Sequence, residues 1–400
     1  MTQTIDNILN GLRGREDWKY GDFIGLQKAG LETWQPDEGA DHGSLPAGMM
    51  GGLKLIFMNG RLQQAAGSVQ NLPAGVVCRP LPADELVEGF GSLTDKVDSP
   101  FTAMNTARWS GGLLLDVAEG VQLDEPIHLH FLTDERLDGQ LVAVRNFVRL
   151  AAGARATVIE HYHGSRAGRG LHLPVTEVLC AEKAEGRHLK IVNEGPEMLH
   201  LGSTHVRQAA GSRFTSREFA LGGAMIRREL HLDLAGEDAF CDLTALSMAS
   251  GKDKRDMRTR VDHSVPGCET LELYKGIFDD QARGVFDGRI LVARDAQQTN
   301  AHQTNRNLLL SDDAVSNSVP RLEIYADDVK CSHGSTTGRL GDEEVFFLRT
   351  RGFDAVTARV MLAKAFAGEV LDGIVENEVR ESLEAEVTAR LAASLGRQQG

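Results

Sequence analysis

A repeated turn-and-strand pattern limits the fold of this chain more than any other feature. Five segments, VAEGVQL, AAGARATV, AEKAEGRHL, AAGSRFTS and LAGEDAFCDL, each begin as a turn of small residues and continue as an alternating strand. Their intervals are 33, 30, 28 and 26 residues, measured between Ala118, Ala151, Ala181, Ala209 and Ala235. A unit of this size cannot bury an apolar face alone, so a regular period indicates units that stack on one another.

A second series of turns has about half this period. It consists of DDQARGVF, RDAQQTNA, SDDAVSNS and ADDVKCSH, with intervals of 14, 18 and 15 residues between Ala282, Ala296, Ala314 and Val329. Strands recur without helical segments between them, which predicts a mainly β protein built on a parallel β-helix, or β-solenoid. An antiparallel sandwich also has short strands with turn signals. Two-residue hairpin signals such as FDGRI are scarce in this region, which favours the solenoid.

The repeat divides the chain into three parts. We expect a mixed, partly helical N-terminal domain over residues 1–100, where LPADELVEGFGSL has helical spacing. The β-helix core is expected over residues 101–341, and a C-terminal α-helical domain over residues 342–400.

The C-terminal domain is predicted to contain amphipathic helices. Gly352 is placed to end a first helix, and Asp354 can cap the next one. Apolar residues form one stripe on the second helix and another on the third: Val356, Val360, Ala363, Ala367, Val370 and Ile374, then Val379, Leu383, Val387, Leu391 and Leu395. Either the stripes pack within the chain or part of them faces a partner, and the sequence leaves both open.

Charge and cysteine usage exclude several classes of protein. The net charge of −14 argues against a nucleic-acid partner, because phosphate binding needs clustered Lys and Arg. The start of the sequence has no apolar core of signal-peptide length, and no run of about 18 apolar residues predicts a membrane span. The five cysteines are far apart and form no CxxC pair. Such cysteines are typical of reduced thiols, so we expect a cytoplasmic protein.

The segment DDVKCSHGSTTGRL contains the first candidate site, Cys331 and His333. Residues two apart on a strand point to the same face, about 7 Å apart at Cα. A thiolate and an imidazole so placed can share a metal ion, or act as a nucleophile and its base. By spacing alone, a polar strand without function is the more frequent explanation. The position favours function, because the last coil of a solenoid exposes unpaired backbone groups that another chain can cover.

Two further histidine pairs have the same spacing, His128 with His130 and His161 with His163. No third ligand at metal-like spacing accompanies either pair, so we expect these histidines to face solvent. Three cysteines are expected to be small hydrophobic core residues: Cys180, Cys241 and Cys268. No nucleotide-binding, serine-hydrolase or zinc-protease motif occurs in a convincing context, so no catalytic residue is predicted.

Long segments of the sequence resemble a known family. VDHSVPGCETLELYKGIFDDQARGVFDGRILV, and AQQTNAHQTNRNLLLSDDAVSNSVPRLEIYADDVKCSHGSTTGRLGDEEVFFLRTRGF after it, are similar to the SufB/SufD family of iron–sulfur cluster assembly proteins. The similarity runs from MNTARWSGGLLLDVAEGVQLDEPIHL to the C-terminal helices, about three quarters of the chain. Within the family, DDVKCSHG resembles the SufD-type members.

The resemblance implies a right-handed parallel β-helix between helical domains. It implies a non-catalytic scaffold subunit that joins a SufB-type partner through the ends of their β-helices and carries SufC-type ATPase subunits on its C-terminal helices. In this picture Cys331 and His333 bind iron or a nascent iron–sulfur cluster, transiently and together with the partner. The resemblance also allows that the isolated chain is without a cluster and that it pairs with a second copy of itself.

Two other functions remain open from the sequence. A carbohydrate-active β-helix enzyme would need a secretion signal and carboxylates stacked along one face, and neither is found. A homo-oligomeric structural solenoid would need no site at all.

Overall fold

The computed structural model describes most of the chain after residue 52. The described residues are 53–66, 72–82, 85, 87–95, 97–164 and 169–397, together with Leu12, Arg15, Trp18, Glu32 and Thr33. The predicted N-terminal domain therefore falls largely outside the described residues. Its predicted helix at LPADELVEGFGSL is not formed over residues 87–93, where the chain makes successive turns. Gly89 and Gly91 have φ of +81° and +84°, which is incompatible with a right-handed helix.

Two long sheets form a parallel β-solenoid of about seven turns, as the repeat predicts. Sheet A has the order β19 (Val315–Ile324), β17 (Arg283–Val292), β15 (Lys254–His263), β13 (Met225–Leu234), β11 (Leu199–Gln208), β9 (Leu171–Cys180), β7 (Gln140–Leu150), β5 (Leu113–Val117) and β4 (Val76–Pro80), and β1 (Glu32–Thr33) also pairs with β7. Sheet B has the order β20 (Val329–Gly338), β18 (Thr299–Leu309), β16 (Glu269–Phe278), β14 (Phe240–Ala249), β12 (Arg213–Gly222), β10 (Glu185–Asn193), β8 (Arg155–Gly164), β6 (Ile127–Thr133), β2 (Leu53–Met58) and β3 (Arg61–Ala66).

Each turn of the solenoid contributes one strand to each sheet, which explains the two sequence periods. The longer period is one complete turn, and the shorter period is one strand with its corner. Eight described corners lead from sheet A to sheet B, and seven of them have one residue with a positive φ: Gly120, Gly153, Lys183, Gly211, Asp238, Gly267 and Gln298. Stacked corners are hydrogen-bonded to one another; the N–H of Gly153, for example, donates to the carbonyl of Glu182 at 2.8 Å.

Of two hairpin signals in the sequence, one forms a hairpin in the structure. FDGRI forms no hairpin and lies inside β17. Asn59 and Gly60, which the sequence reading did not use, form a two-residue hairpin between antiparallel β2 and β3, with φ of +47° and +82°. β4 and β5 are also antiparallel. Antiparallel strands thus form the first end of the solenoid. The strands β2 to β4 belong to its sheets although they precede residue 101, the predicted start of the β-helix core. The predicted domain boundary stays a prediction.

Helices cover the outer faces of both sheets. α1 (Pro100–Arg108) packs Phe101 and Met104 onto sheet A. After β20 come α2 (Asp342–Thr350), α3 (Ala355–Leu371) and α4 (Asn377–Arg397). Asp354 caps α3 as predicted, accepting a hydrogen bond from the Thr357 N–H at 2.9 Å. No helix among the described residues is long and apolar enough to span a membrane.

Most of the apolar stripes of α3 and α4 packs within the chain. Residues such as Ala367 and Leu391 share one apolar cluster with Phe219 and Ile277 on the outer face of sheet B. All five predicted residues of the third helix are buried: Val379, Leu383, Val387, Leu391 and Leu395. Val360 and Phe366 pack against the same cluster and remain partly exposed.

Candidate functional site

Cys331 and His333 lie on β20, the last strand of sheet B. Their pairing partners on β18 are Ala301 and Gln303, which are 0% and 1% exposed. Residues paired in a parallel register point to the same face of the sheet, and Ala301 belongs to the core between the two sheets. Cys331 and His333 therefore stand on the inner face of the final coil. Cys331 is half-buried against that core, whereas His333 is exposed.

The last coil leaves two strand edges uncovered in the described part of the chain. β20 pairs only with β18, and β19 pairs only with β17. Nearly all of β20 is exposed, and no residue of β19 is fully buried. Next to this edge the ring of Tyr325 is 62% exposed. Uncovered strand edges offer N–H and C=O groups to a strand of another chain, so this end of the solenoid can accept one.

The Cys331 thiol does not ionise readily. Burial raises its pKa above the ordinary value, and a hydrogen bond with the Ala301 backbone opposes only part of this shift. The thiol is the protonated form at neutral pH, and a metal must displace the proton to bind the sulfur. His333 places an imidazole, a second type of metal-binding group, on the same face of the strand.

A buried polar chain leads inward from this strand. The side chain of Gln303, whose position pairs with His333, donates to Glu272 at 3.1 Å. Thr259 donates to the same carboxylate oxygen at 3.3 Å. Burial raises the pKa of Glu272 to about 7. The interior behind the open end is thus polar.

More polar groups occupy the interior of the earlier coils, and no sequence motif predicted them. His172 and His200 contact opposite oxygens of the Glu194 carboxylate at 2.8 Å and 3.2 Å. Burial would raise the pKa of Glu194, but the hydrogen bonds from these two histidines lower it to about 2. The ionised carboxylate accepts both hydrogen bonds, so both histidines are engaged. Polar residues that face inward do not follow the apolar–polar alternation of a strand, so the sequence pattern did not reveal this cluster.

The histidine pairs expected to face solvent are instead mostly buried, which corrects that prediction. His128, His130 and His161 are only 2%, 3% and 3% exposed, and His163 is partly exposed. They lie on the outer face of sheet B, near the helices that cover it. The cysteine prediction is confirmed, because the three predicted core thiols are buried: Cys180, Cys241 and Cys268.

α2 exposes two phenylalanine side chains among charged residues, here called the apolar surface of α2. No residue of α2 is buried, and its two phenylalanines, Phe346 and Phe347, are 66% and 56% exposed. Phe353 and Met361 are each 39% exposed. Three residues, 339–341, separate β20 from α2, so this surface is joined to the candidate site by a short connection.

Comparison with known proteins identifies the family. The model of the SufBD core domain, described as SUF system FeS cluster assembly, matches residues 131–366. The chain belongs to the SufBD family.

Its relatives match over most of their length. An iron–sulfur cluster assembly SufBD family protein of Synechocystis is 31% identical, over 90% of this chain and 83% of the relative. Iron–sulfur cluster assembly protein SufD of Escherichia coli is 30% identical, over 95% and 89%. The chloroplastic protein ABCI7 of Arabidopsis thaliana is 30% identical, over 82% and 71%. Membership of this family supports a role in iron–sulfur cluster assembly, and neither the carbohydrate-active enzyme nor the structural solenoid is favoured.

Proposed function

We propose that this chain is a non-catalytic, SufD-type scaffold subunit that builds iron–sulfur clusters together with a SufB-type partner. The observation that carries the proposal is the position of Cys331 and His333. Both stand on the inner face of a strand whose outer edge is uncovered in the described part of the chain. A strand of the partner that paired with this edge would bring its own ligands next to them.

The ligand count supports a shared site. Iron–sulfur clusters are held mainly by cysteine thiolates, with histidine as an occasional replacement. Within the described residues, Cys331 and His333 belong to no group of three or more metal-binding side chains. Iron or a nascent cluster, as the cargo of the complex, would bind His333 and Cys331, the latter after its proton leaves. The partner would supply the remaining ligands, and in its absence a second copy of this chain could occupy the same edge.

The C-terminal helices supply a second contact surface. We assign the apolar surface of α2, Phe346 and Phe347, to a SufC-type ATPase, because the stripes of α3 and α4 are mostly covered by sheet B. α3 is tied to the sheet through Lys275, which donates to the carbonyl of Phe366 at 2.8 Å. A displacement of α2 by the ATPase would therefore reach β20 through residues 339–341.

Co-purification with the two partners tests this assignment. The double variant Phe346→Ser/Phe347→Ser should lose at least about 10-fold in affinity for the SufC-type ATPase, since buried aromatics dominate interface energies. It should keep the SufB-type partner. Val375→Ser is the matched control, because Val375 is also exposed, at 60%, but lies outside α2. Full retention of the ATPase by the double variant would contradict the proposed surface.

A further inference from the structure

Four histidines on neighbouring strands form a cluster far from the last coil. His128 and His130 lie on β6, and His161 and His163 lie on β8, with His130 paired to His161. Because alternate residues of a strand share a face, all four side chains leave the same face of sheet B. It is the outer face, since Ile159, which pairs with His128, packs in the cluster beneath α3 and α4. Six strand spacings separate β8 from β20, which is about 29 Å.

The rings are close enough to share one ion. The Nδ1 of His128 lies 3.1 Å from the Nε2 of His161. The ring centroids of His130 and His161 are 4.5 Å apart, with planes inclined by 10°. One ring nitrogen from each of these three histidines lies within 4.8 Å of the other two. The rings stack nearly parallel, so their lone pairs converge only after rotation about χ2, a torsion with a broad energy minimum in histidine.

His130 lacks the partners that a buried polar side chain ordinarily has. Neither of its ring nitrogens has a hydrogen-bond partner within the described part of the chain, although the residue is only 3% exposed. Buried polar atoms are nearly always hydrogen-bonded, and leaving one unpaired is costly. An apolar side chain would fill this position on a covered face without that cost. Both ring nitrogens of His130 are therefore available to a bound ion.

Charges of both signs surround the rings. Among the charges that act on the cluster, Lys54 on β2 opposes a cation. The negative charges of Glu378 on α4 and Glu194 after β10 favour a cation; Glu378 acts on His128 and Glu194 acts on His163.

We propose that His128, His130 and His161 form a binding site for a divalent transition-metal ion, separate from Cys331 and His333. Imidazole nitrogens suit Zn²⁺, Fe²⁺, Ni²⁺ and Cu²⁺, whereas Ca²⁺ and Mg²⁺ prefer oxygen. Three protein nitrogens leave a fourth position open, as in metal sites that exchange a water or another ligand. His163, which is partly exposed, lies beside the three rings, with its centroid 5.8 Å from those of His130 and His161.

Metal binding to the untagged chain tests the proposal with Zn²⁺ and Co²⁺ as probes. After removal of metals by a chelator, isothermal titration should give one tight equivalent of Zn²⁺ with a Kd below about 1 μM. X-ray absorption of this one-equivalent complex should show nitrogen neighbours at about 2.0–2.1 Å and no sulfur at about 2.3 Å. Co²⁺ should give the intense visible bands of four-coordinate geometry. Absence of a tight equivalent, or a sulfur neighbour, would overturn the proposal even without any variant.

Variants locate the site on the chain. His130→Gln and His161→Gln, which keep a polar side chain of similar size, should each weaken Zn²⁺ binding by about 100-fold or more. His302→Gln is the matched control, because His302 is exposed on the same face of sheet B near the opposite end. His172→Gln tests the other buried histidine group, in the interior. Unchanged binding in His130→Gln, or loss only in His172→Gln, would overturn the assignment.

Discussion

The two ends of sheet B are finished in opposite ways. At the first end, β2 is largely buried, with Leu55, Ile56 and Phe57 each 1% exposed, and antiparallel β3 continues the sheet through a tight turn. At the last end, β20 carries small and hydroxyl residues after Cys331 and His333 and is almost wholly exposed. The outermost parallel strand is thus buried beside a hairpin partner at one end and exposed at the other. The position of a coil in the stack therefore decides whether its residues are exposed to a partner.

The largest expected effect is a difference in the free energy of unfolding between variants at the two ends of sheet B. Phe131 stacks between Phe57 and Tyr162, with ring centroids 4.9 Å and 4.8 Å away. Phe131→Ala should lower the free energy of unfolding by roughly 3–5 kcal/mol, because a cavity remains in a packed core. His333→Ala, at an exposed position, should change it by less than about 0.5 kcal/mol. Urea unfolding measures both, and a similar loss in the two variants would break the comparison.

The second effect concerns pH and the polar interior behind the open end. Burial raises the pKa of Glu272 from 4.5 to about 7, so the folded chain keeps a proton that the unfolded chain releases. This contribution to stability is complete below pH 4.5 and is lost as the pH rises to about 7, on the order of 3 kcal/mol. Glu272→Gln should remove the loss and be more stable than the parent at pH 8. Identical pH slopes for both proteins, in urea unfolding at pH 5 and 8, would refute it.

The third and smallest effect compares the two edges of sheet B directly. A lysine at an edge strand hinders pairing with another chain. Thr337→Lys on β20 should weaken association with the SufB-type partner by about 10-fold, or about 1.4 kcal/mol. Gln63→Lys on β3, at the opposite edge, should leave association unchanged. Sedimentation of mixtures distinguishes the two variants; equal weakening would mean that the last coil is not the interface.

The period of the fold was readable from the sequence because the corners are local. Residues such as Gly153 and Gly211 mark a backbone conformation that recurs at the corners of the solenoid, so the repeat appears in the residues themselves. The same local repeat of turns also placed Cys331 and His333 on the last strand. The register that turns Cys331 and His333 to the inner face follows from their pairing with Ala301 and Gln303.

The burial of the four histidines was not readable, because it depends on distant parts of the chain. His128 and His130 alternate as residues of a half-exposed strand do, yet the outer face of sheet B is covered by helices that come more than 200 residues later. The stripe on α3 was ambiguous for the converse reason. Its apolar pattern is the same whether it faces a sheet of its own chain or a partner, and only the tertiary structure decides.

The most direct test of the shared-site proposal is the iron and sulfide content of the complex with both partners. His333→Ala should lower the cluster content at least about 10-fold while the subunit ratio stays the same, because a ligand is lost without loss of the interface. His302→Ala, one strand away on the opposite face, should match the parent. Normal cluster content and normal maturation rate in the His333→Ala complex would contradict the proposal and leave the CxH strand a purely structural edge.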